Sequence, residues 1–151
     1  MSNGVIKRAL VFDDEPDIRQ MFHLLLECRG YEVYSFEDPS DYCKLDSDGC
    51  PLAGRLCCAD VLISDLKMPR VDGIRFMQAI VAKHCRIPAR ALMSGYWTPS
   101  SLKLARQLGC HTFAKPMKVD TVFDWLAECE ALSTQRAGEL PASCSSLPAF
   151  A

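Results

Sequence analysis

Four places in this 151-residue chain put polar side chains directly after apolar runs. Asp13 and Asp14 follow Ala9-Leu10-Val11-Phe12, and Asp65 follows Val61-Leu62-Ile63-Ser64. Ser94, with Gly95 behind it, follows Ala89–Met93, and Lys115 follows Cys110–Ala114. Carboxylates, a hydroxyl and an ammonium brought into one cleft have a definite chemistry. Like charges at close range cannot all stay ionised without compensation. A hard divalent cation supplies it, and Mg²⁺ is satisfied by one or two carboxylates, waters and phosphate oxygens. The set therefore predicts Mg²⁺ at Asp13, Asp14 and Asp65, next to a phosphorylated group. A carboxylate is also a competent nucleophile toward phosphorus. Lys115 suits a phosphoryl oxygen as a point charge, and Ser94 can donate a hydrogen bond to another oxygen. The transferred group is then stabilised mainly by position and charge.

Each residue alone has a plainer role. Asp14-Glu15-Pro16 can open a helix, since acids suit a first turn. Ser94 can close a turn, Lys115 can be a solvated charge, and Asp72-Gly73 can start a helix. The side chains of Lys67, Arg70 and Asp72 are read as surface or turn residues. What the plain roles leave unexplained is their coincidence at the ends of four separate apolar runs.

Those runs must be strands for the convergence to happen. Ala9–Phe12, Tyr31–Phe36, Val61–Ser64, Ala89–Met93 and Cys110–Ala114 are short and apolar, aromatic or β-branched. Between them lie stripes at helical spacing. Ile18, Met21, Phe22, Leu25 and Leu26 form one, with Pro16 in its first turn and Gly30 at its end. Gly73–Ala82 carries Ile74, Met77, Ile80 and Val81 on one side. Pro99 can open a helix to Leu108 that Gly109 closes, and Val119–Leu132 is a final helix. Strands such as Val61–Ser64 are apolar throughout, as a parallel sheet covered on both faces requires. The expected architecture is α/β, a doubly wound five-stranded parallel sheet. Sites in such sheets form outside the carboxyl ends of the strands, where the polar residues fall.

Residues 37–58 do not fit the alternation. Asp38-Pro39-Ser40 could start a helix through Leu45, and Asp46–Pro51 is turn chemistry. Four of the nine cysteines, Cys43, Cys50, Cys57 and Cys58, fall there without the close pairs that zinc sites use. Cys28, Cys85, Cys110 and Cys129 lie in or beside regular elements, where a thiol is usually a small buried hydrophobe. An odd count without an export signal argues against a disulfide framework. Residues 133–151 are rich in Ser, Ala and Pro and are expected to be a flexible tail to a domain spanning 1–132. The net charge of −2 offers no basic field to nucleic acid, and no apolar run could span a bilayer. A cytoplasmic protein without a membrane or nucleic-acid partner is expected.

The segment Asp65-Leu66-Lys67-Met68-Pro69-Arg70-Val71-Asp72-Gly73 resembles the phosphoacceptor signature of response-regulator receiver domains, D-x-x-M-P-x-x-D-G. Asp13-Asp14-Glu15, Ser94-Gly95 and Lys115-Pro116 resemble that family's acidic pair, switch hydroxyl and lysine with its cis-proline-type turn. The likeness covers residues 7–132 and is to receivers of the chemotaxis kind. It implies a flavodoxin-like strand order 2-1-3-4-5. It implies that Asp65 accepts a phosphoryl group from a histidine on a sensor kinase or histidine phosphotransfer protein. Asp14, Asp65 and the Lys67 backbone carbonyl would bind Mg²⁺ directly, with Asp13 acting mostly through water. Lys115 would pair with Asp65 and then with the phosphoryl group, and Ser94 would swing toward it. Slow self-dephosphorylation would act as a timer rather than as metabolic enzyme activity. Output would pass through contacts with a downstream protein, and a weak homodimer is a family habit.

Two features depart from that pattern. The family's aromatic switch stands three positions before the lysine, where this chain has Thr112, with Phe113 next to it. The span from Gly109 to Lys115 is also one residue short, so Phe113 either takes that role or the switch is absent. The second departure is 37–58, which reads as an insertion with its own binding surface. A phosphorylation-independent adaptor of the same fold is the competing function. A phosphatase with an aspartate nucleophile would want a second acid where Lys67 stands.

Overall fold

The computed structural model describes residues 7–39, 59–82 and 87–136. Five strands and four helices follow one another along them: β1 (Lys7–Phe12), α1 (Pro16–Cys28), β2 (Tyr31–Phe36), β3 (Val61–Asp65), α2 (Gly73–Ala82), β4 (Ala89–Ser94), α3 (Pro99–Gln107), β5 (His111–Ala114) and α4 (Val119–Arg136). All pairings are parallel, and the sheet order is β2-β1-β3-β4-β5. The expected fold class and strand order are both present.

Successive residues of the inner strands feed opposite cores, as the two-residue strand period dictates. Leu10, Phe12, Leu62 and Leu92 pack with Phe76, Met77 and Ile80 of α2 and Ala105 of α3. Ala9, Val11, Ile63, Ala91 and Met93 pack instead with Phe22 and Leu26 of α1 and Val122, Trp125 and Leu126 of α4. Inner strands covered on both sides have no solvent face, which is why β3 is buried at every position.

The helices start and stop for local reasons. α1 carries its proline at the start, and Gly30, at φ +89°, turns the chain back into β2. Thr98 caps α3: its hydroxyl accepts from the Ser101 amide at 3.0 Å, and Ser101 Oγ accepts from the Thr98 amide at 3.0 Å. α4 runs to Arg136 rather than stopping at Leu132. The polar composition after Leu132 contains no breaker before Gly138, so the helix does not end there. The boundary at 132 thus falls inside a helix. β1 also starts earlier than its apolar run, because Lys7 and Arg8 pair in register with Tyr31 and Glu32.

Among the described cysteines, Cys110 is buried as expected, Cys129 is partly covered and Cys28 is exposed on α1. Cys28 therefore corrects the expectation of a buried thiol: the helix turns it outward, away from Phe22 and Leu26. The helix expected from Asp38 to Leu45, the turn at Asp46–Pro51, the remaining cysteines and the tail beyond Arg136 lie outside the described residues.

Candidate functional site

The carboxyl ends of β1, β3, β4 and β5 meet at one edge of the sheet. β1 delivers Asp13 and Asp14, and β3 delivers Asp65; one carboxylate oxygen from each of the three lies within 4.8 Å of the others. Asp13 is fully buried and Asp65 is 6% exposed. Lys115, just past β5, points its ammonium into this group, 2.9 Å from Asp13 Oδ2 and 3.3 Å from Asp65 Oδ2. The Lys115–Pro116 peptide is cis, and the Lys115 amide donates to the Ser94 carbonyl at 2.9 Å, which ties the ends of β4 and β5 together.

The electrostatics follow from burial and crowding. Burial first, and the neighbouring Asp13 charge second, raise the Asp65 carboxyl to about 6, against the pull of Lys115. Asp13 is also raised, by burial, although the Glu15 amide and Lys115 oppose it. Burial would lower Lys115, but Asp13, Glu15 and Asp65 outweigh it and hold the ammonium above its ordinary value. One cation therefore serves several acids and does not fully relieve them. Asp13 Oδ1 accepts from the Glu15 amide at 2.8 Å, while Oδ2 receives no hydrogen bond and meets Lys115 only as an ion pair. A buried carboxylate oxygen without a hydrogen bond, among surplus negative charge and hard oxygen donors, fits a small divalent cation.

The remaining residues sort as follows. Ser94 sits at this edge, but its hydroxyl donates to the Tyr96 carbonyl at 2.9 Å and accepts from the Tyr96 amide at 3.0 Å, within its own loop. Lys67 lies two residues beyond Asp65 with its side chain exposed. Asp72 starts α2 as expected, accepting from the Arg75 amide at 2.8 Å. Gly73 cannot carry a side chain: an added Cβ would collide with the Asp65 carbonyl oxygen and come within 2.8 Å of Leu92 Cδ2.

Packing decides the roles of three further residues. Phe113 cannot stand in for an aromatic switch, because it is 2% exposed and packs edge-on against Trp125 in the core shared with α1 and α4. Strand alternation puts Thr112, opposite Leu92, on the other face. Trp97 is half-buried: it packs on the α2–α3 core and its indole donates to the Phe113 carbonyl at 2.9 Å. Arg70 is more than a turn residue, since it pairs with the buried Asp38 at 3.0 Å. Glu15, which the sequence places at a helix start, also belongs to the site. It holds Lys115 at 3.0 Å, and the third acid in the Asp13–Glu15 run was its visible signal.

Comparison with known proteins gives this edge a family. The sequence profile of the response regulator receiver domain matches residues 9–127. The chain belongs to the response regulator receiver domain family. Curated relatives include the regulatory protein AtoC of Escherichia coli, 27% identical over 116 residues, which covers 76% of this chain and 23% of that protein. Another is a protein-glutamate methylesterase/protein-glutamine glutaminase of Rhodopseudomonas palustris, 31% identical over 76% of this chain and 30% of its own length. The receiver domain thus spans only a minor part of these relatives. The chemotaxis protein CheY4 of Vibrio cholerae superposes with a TM-score of 0.65 at 24% identity, over 83% of this chain and 99% of that one. A response regulator of Burkholderia pseudomallei, solved with a phosphorylated aspartic acid and a calcium ion, gives 0.61 at 21% identity, over 89% of this chain and 75% of that one. Both structures establish the shared fold. Receiver domains are signalling phosphoacceptors of two-component systems, and no helix among the described residues is long and apolar enough to cross a membrane.

Proposed function

We propose that this receiver domain accepts a phosphoryl group on Asp65 from a phosphohistidine of a sensor kinase or histidine phosphotransfer protein. The convergence of Asp13, Asp14 and Asp65 beneath the Lys115 ammonium carries this reading. Asp13, Asp14, Asp65 and the Lys67 backbone carbonyl would hold Mg²⁺, whose charge neutralises the acids and the incoming phosphate oxygens. A carboxylate oxygen of Asp65 attacks phosphorus, the phosphorus–nitrogen bond breaks, and the donor imidazole keeps the electron pair. Lys115, already 3.3 Å from Asp65 Oδ2, is placed to turn toward a phosphoryl oxygen. Ser94 would first have to give up its contacts with Tyr96 before donating to the phosphate. The acyl phosphate formed would hydrolyse slowly, and the signal would pass through protein contacts.

The test is incubation with Mg²⁺ and acetyl phosphate or phosphoramidate, read by intact mass, with beryllofluoride as a mimic. One phosphoryl group should add to the wild type and none to Asp65→Asn. An unlabelled wild type, or equal labelling of Asp65→Asn, would overturn the assignment.

The adaptor reading draws on one observation, the burial of Phe113, which leaves Thr112 as the side chain on the face where an aromatic switch would stand. It predicts that Asp65→Asn binds partners as the wild type does, whether or not the wild type takes up phosphate.

A further inference from the structure

An ion pair beside the pocket does not involve its own acids. β1, which delivers Asp13 and Asp14, lies between β2 and β3 in the sheet. Asp38 stands just beyond the end of β2, and Arg70 stands in the loop that leaves Asp65 at the end of β3. Their ion pair, Arg70 Nε to Asp38 Oδ2 at 3.0 Å, therefore joins the two flanking strand ends past the end of β1.

The two partners differ in burial. Asp38 is 1% exposed, whereas the Arg70 side chain is 49% exposed. A carboxylate so enclosed needs compensating partners to stay charged. The same end of β2 is bound to the pocket a second time: the Asp13 amide donates to the Phe36 carbonyl at 3.0 Å, and the Phe36 ring stacks on Phe12 at 5.2 Å. The ends of the Asp65 loop are held by the backbone. The Leu66 amide donates to the Met93 carbonyl at 2.7 Å and the Gly73 amide to the Leu66 carbonyl at 2.8 Å. Arg70 ties down the middle of the loop, three residues after Lys67, whose carbonyl follows the held Leu66 end.

We propose that the Arg70–Asp38 pair is a strap that positions the Asp65 loop for cation binding. Arg70 is thus a positioning residue for the phosphoacceptor reaction. The inference rests on the phosphoacceptor reading above and adds to it Arg70, which stands at an unspecified position of the family-like segment Asp65–Gly73. Without the strap, the loop's middle is released, and the segment that carries the Lys67 carbonyl to the cation is held from the Leu66 side.

Charge and positioning predict opposite results for Arg70→Gln. Deleting a cation beside an acidic pocket should, by Coulomb's law alone, tighten Mg²⁺ binding. Loss of an outer support to metal ligands should weaken it by about tenfold, the low end for such partners. The experiment is calorimetric titration of the full chain with Mg²⁺, followed by acetyl phosphate labelling across Mg²⁺ concentrations. The expected result is weaker Mg²⁺ binding, with the labelling rate restored at saturating Mg²⁺; the melting temperature should fall, because Asp38 loses a partner, and both titrations are run well below it. Unchanged or tighter binding overturns the strap. If Arg70→Gln does not fold, Arg70→Lys keeps the charge without the planar Nε contact, and wild-type affinity in that variant overturns it equally. A wild type that binds no Mg²⁺ sinks the phosphoacceptor reading and the strap together, while a wild type that binds beside an equally tight Arg70→Gln sinks the strap alone.

Discussion

The Lys115 ammonium stands 3.3 Å from Asp65 Oδ2 while it also bonds Glu15 Oε1 at 3.0 Å. It is held between the nucleophile and an exposed acid, and it can leave the second without losing the first. Lys115→Met should remove the cation aimed at the developing phosphoryl charge. Labelling of Asp65 by acetyl phosphate should slow by about 10²-fold, as for loss of one preorganised electrostatic donor. Mg²⁺ binding should persist in this variant. Labelling at the wild-type rate would show that Lys115 is only a structural counter-ion.

The strained carboxylates should leave a signature in stability against pH. Asp65 is raised from 3.8 to about 6, by burial first and by Asp13 second. A group raised on folding contributes stability that is fully present below its unfolded value and is lost as pH rises through its folded value. Without divalent cations, the melting temperature of the wild type relative to Asp65→Asn should therefore fall as pH rises from about 4 to beyond about 6. Added Mg²⁺ should restore the wild type near neutral pH by binding only the folded chain. Thermal melts in EDTA and in Mg²⁺ check this, and a difference that stays flat with pH would contradict it.

Gly73 should tolerate no side chain. A methyl group there meets the Asp65 carbonyl, which is backbone and cannot swing aside, and lies 3.0 Å from Leu66 Cα. Gly73→Ala should cost roughly 1–3 kcal/mol, the usual range for overpacking, and should weaken Mg²⁺ binding by shifting the chain at Asp65. Denaturant titration with a Mg²⁺ titration measures both. Wild-type values for both would mean that α2 moves away without disturbing the pocket.

At the opposite edge of the sheet, Glu130 of α4 takes hydrogen bonds from Arg29 and from the Tyr31 hydroxyl, with Lys7 at 3.6 Å. Burial would raise its carboxyl, but these partners outweigh it and hold it below its ordinary value. Its contribution to stability should be present above the unfolded value and disappear as pH falls through the folded one. Glu130→Gln should destabilise the fold by about 1–2 kcal/mol near neutral pH, as for hydrogen bonds to a partly exposed charge. It should leave labelling of Asp65 unchanged, so a loss of labelling would refute the separation of this network from the pocket.

Much of the fold was legible because its signals are local. Apolar runs such as Val61–Ser64 cannot alternate when both faces are covered, and the stripe from Ile18 to Leu26 has helical period. The acids after Phe12 and Ser64 and the lysine after Ala114 pointed to one edge because strand ends in a parallel sheet share an edge. Local signals failed where the deciding contact is distant. Nothing in the neighbourhood of Phe113 says which face of β5 it takes; its packing against Trp125 of α4 decides that. Arg70 reads as a loop charge until β2 brings Asp38 beside it.

Residue order by itself determined which groups stand at strand ends, because strand length and polarity are written along the chain. Only the tertiary structure decided how those groups share charge: that one ammonium serves Asp13, Glu15 and Asp65, and that Asp13 Oδ2 is left without a hydrogen bond. The reason is that electrostatic energy depends on separation and burial, and both are set by packing between elements far apart in sequence.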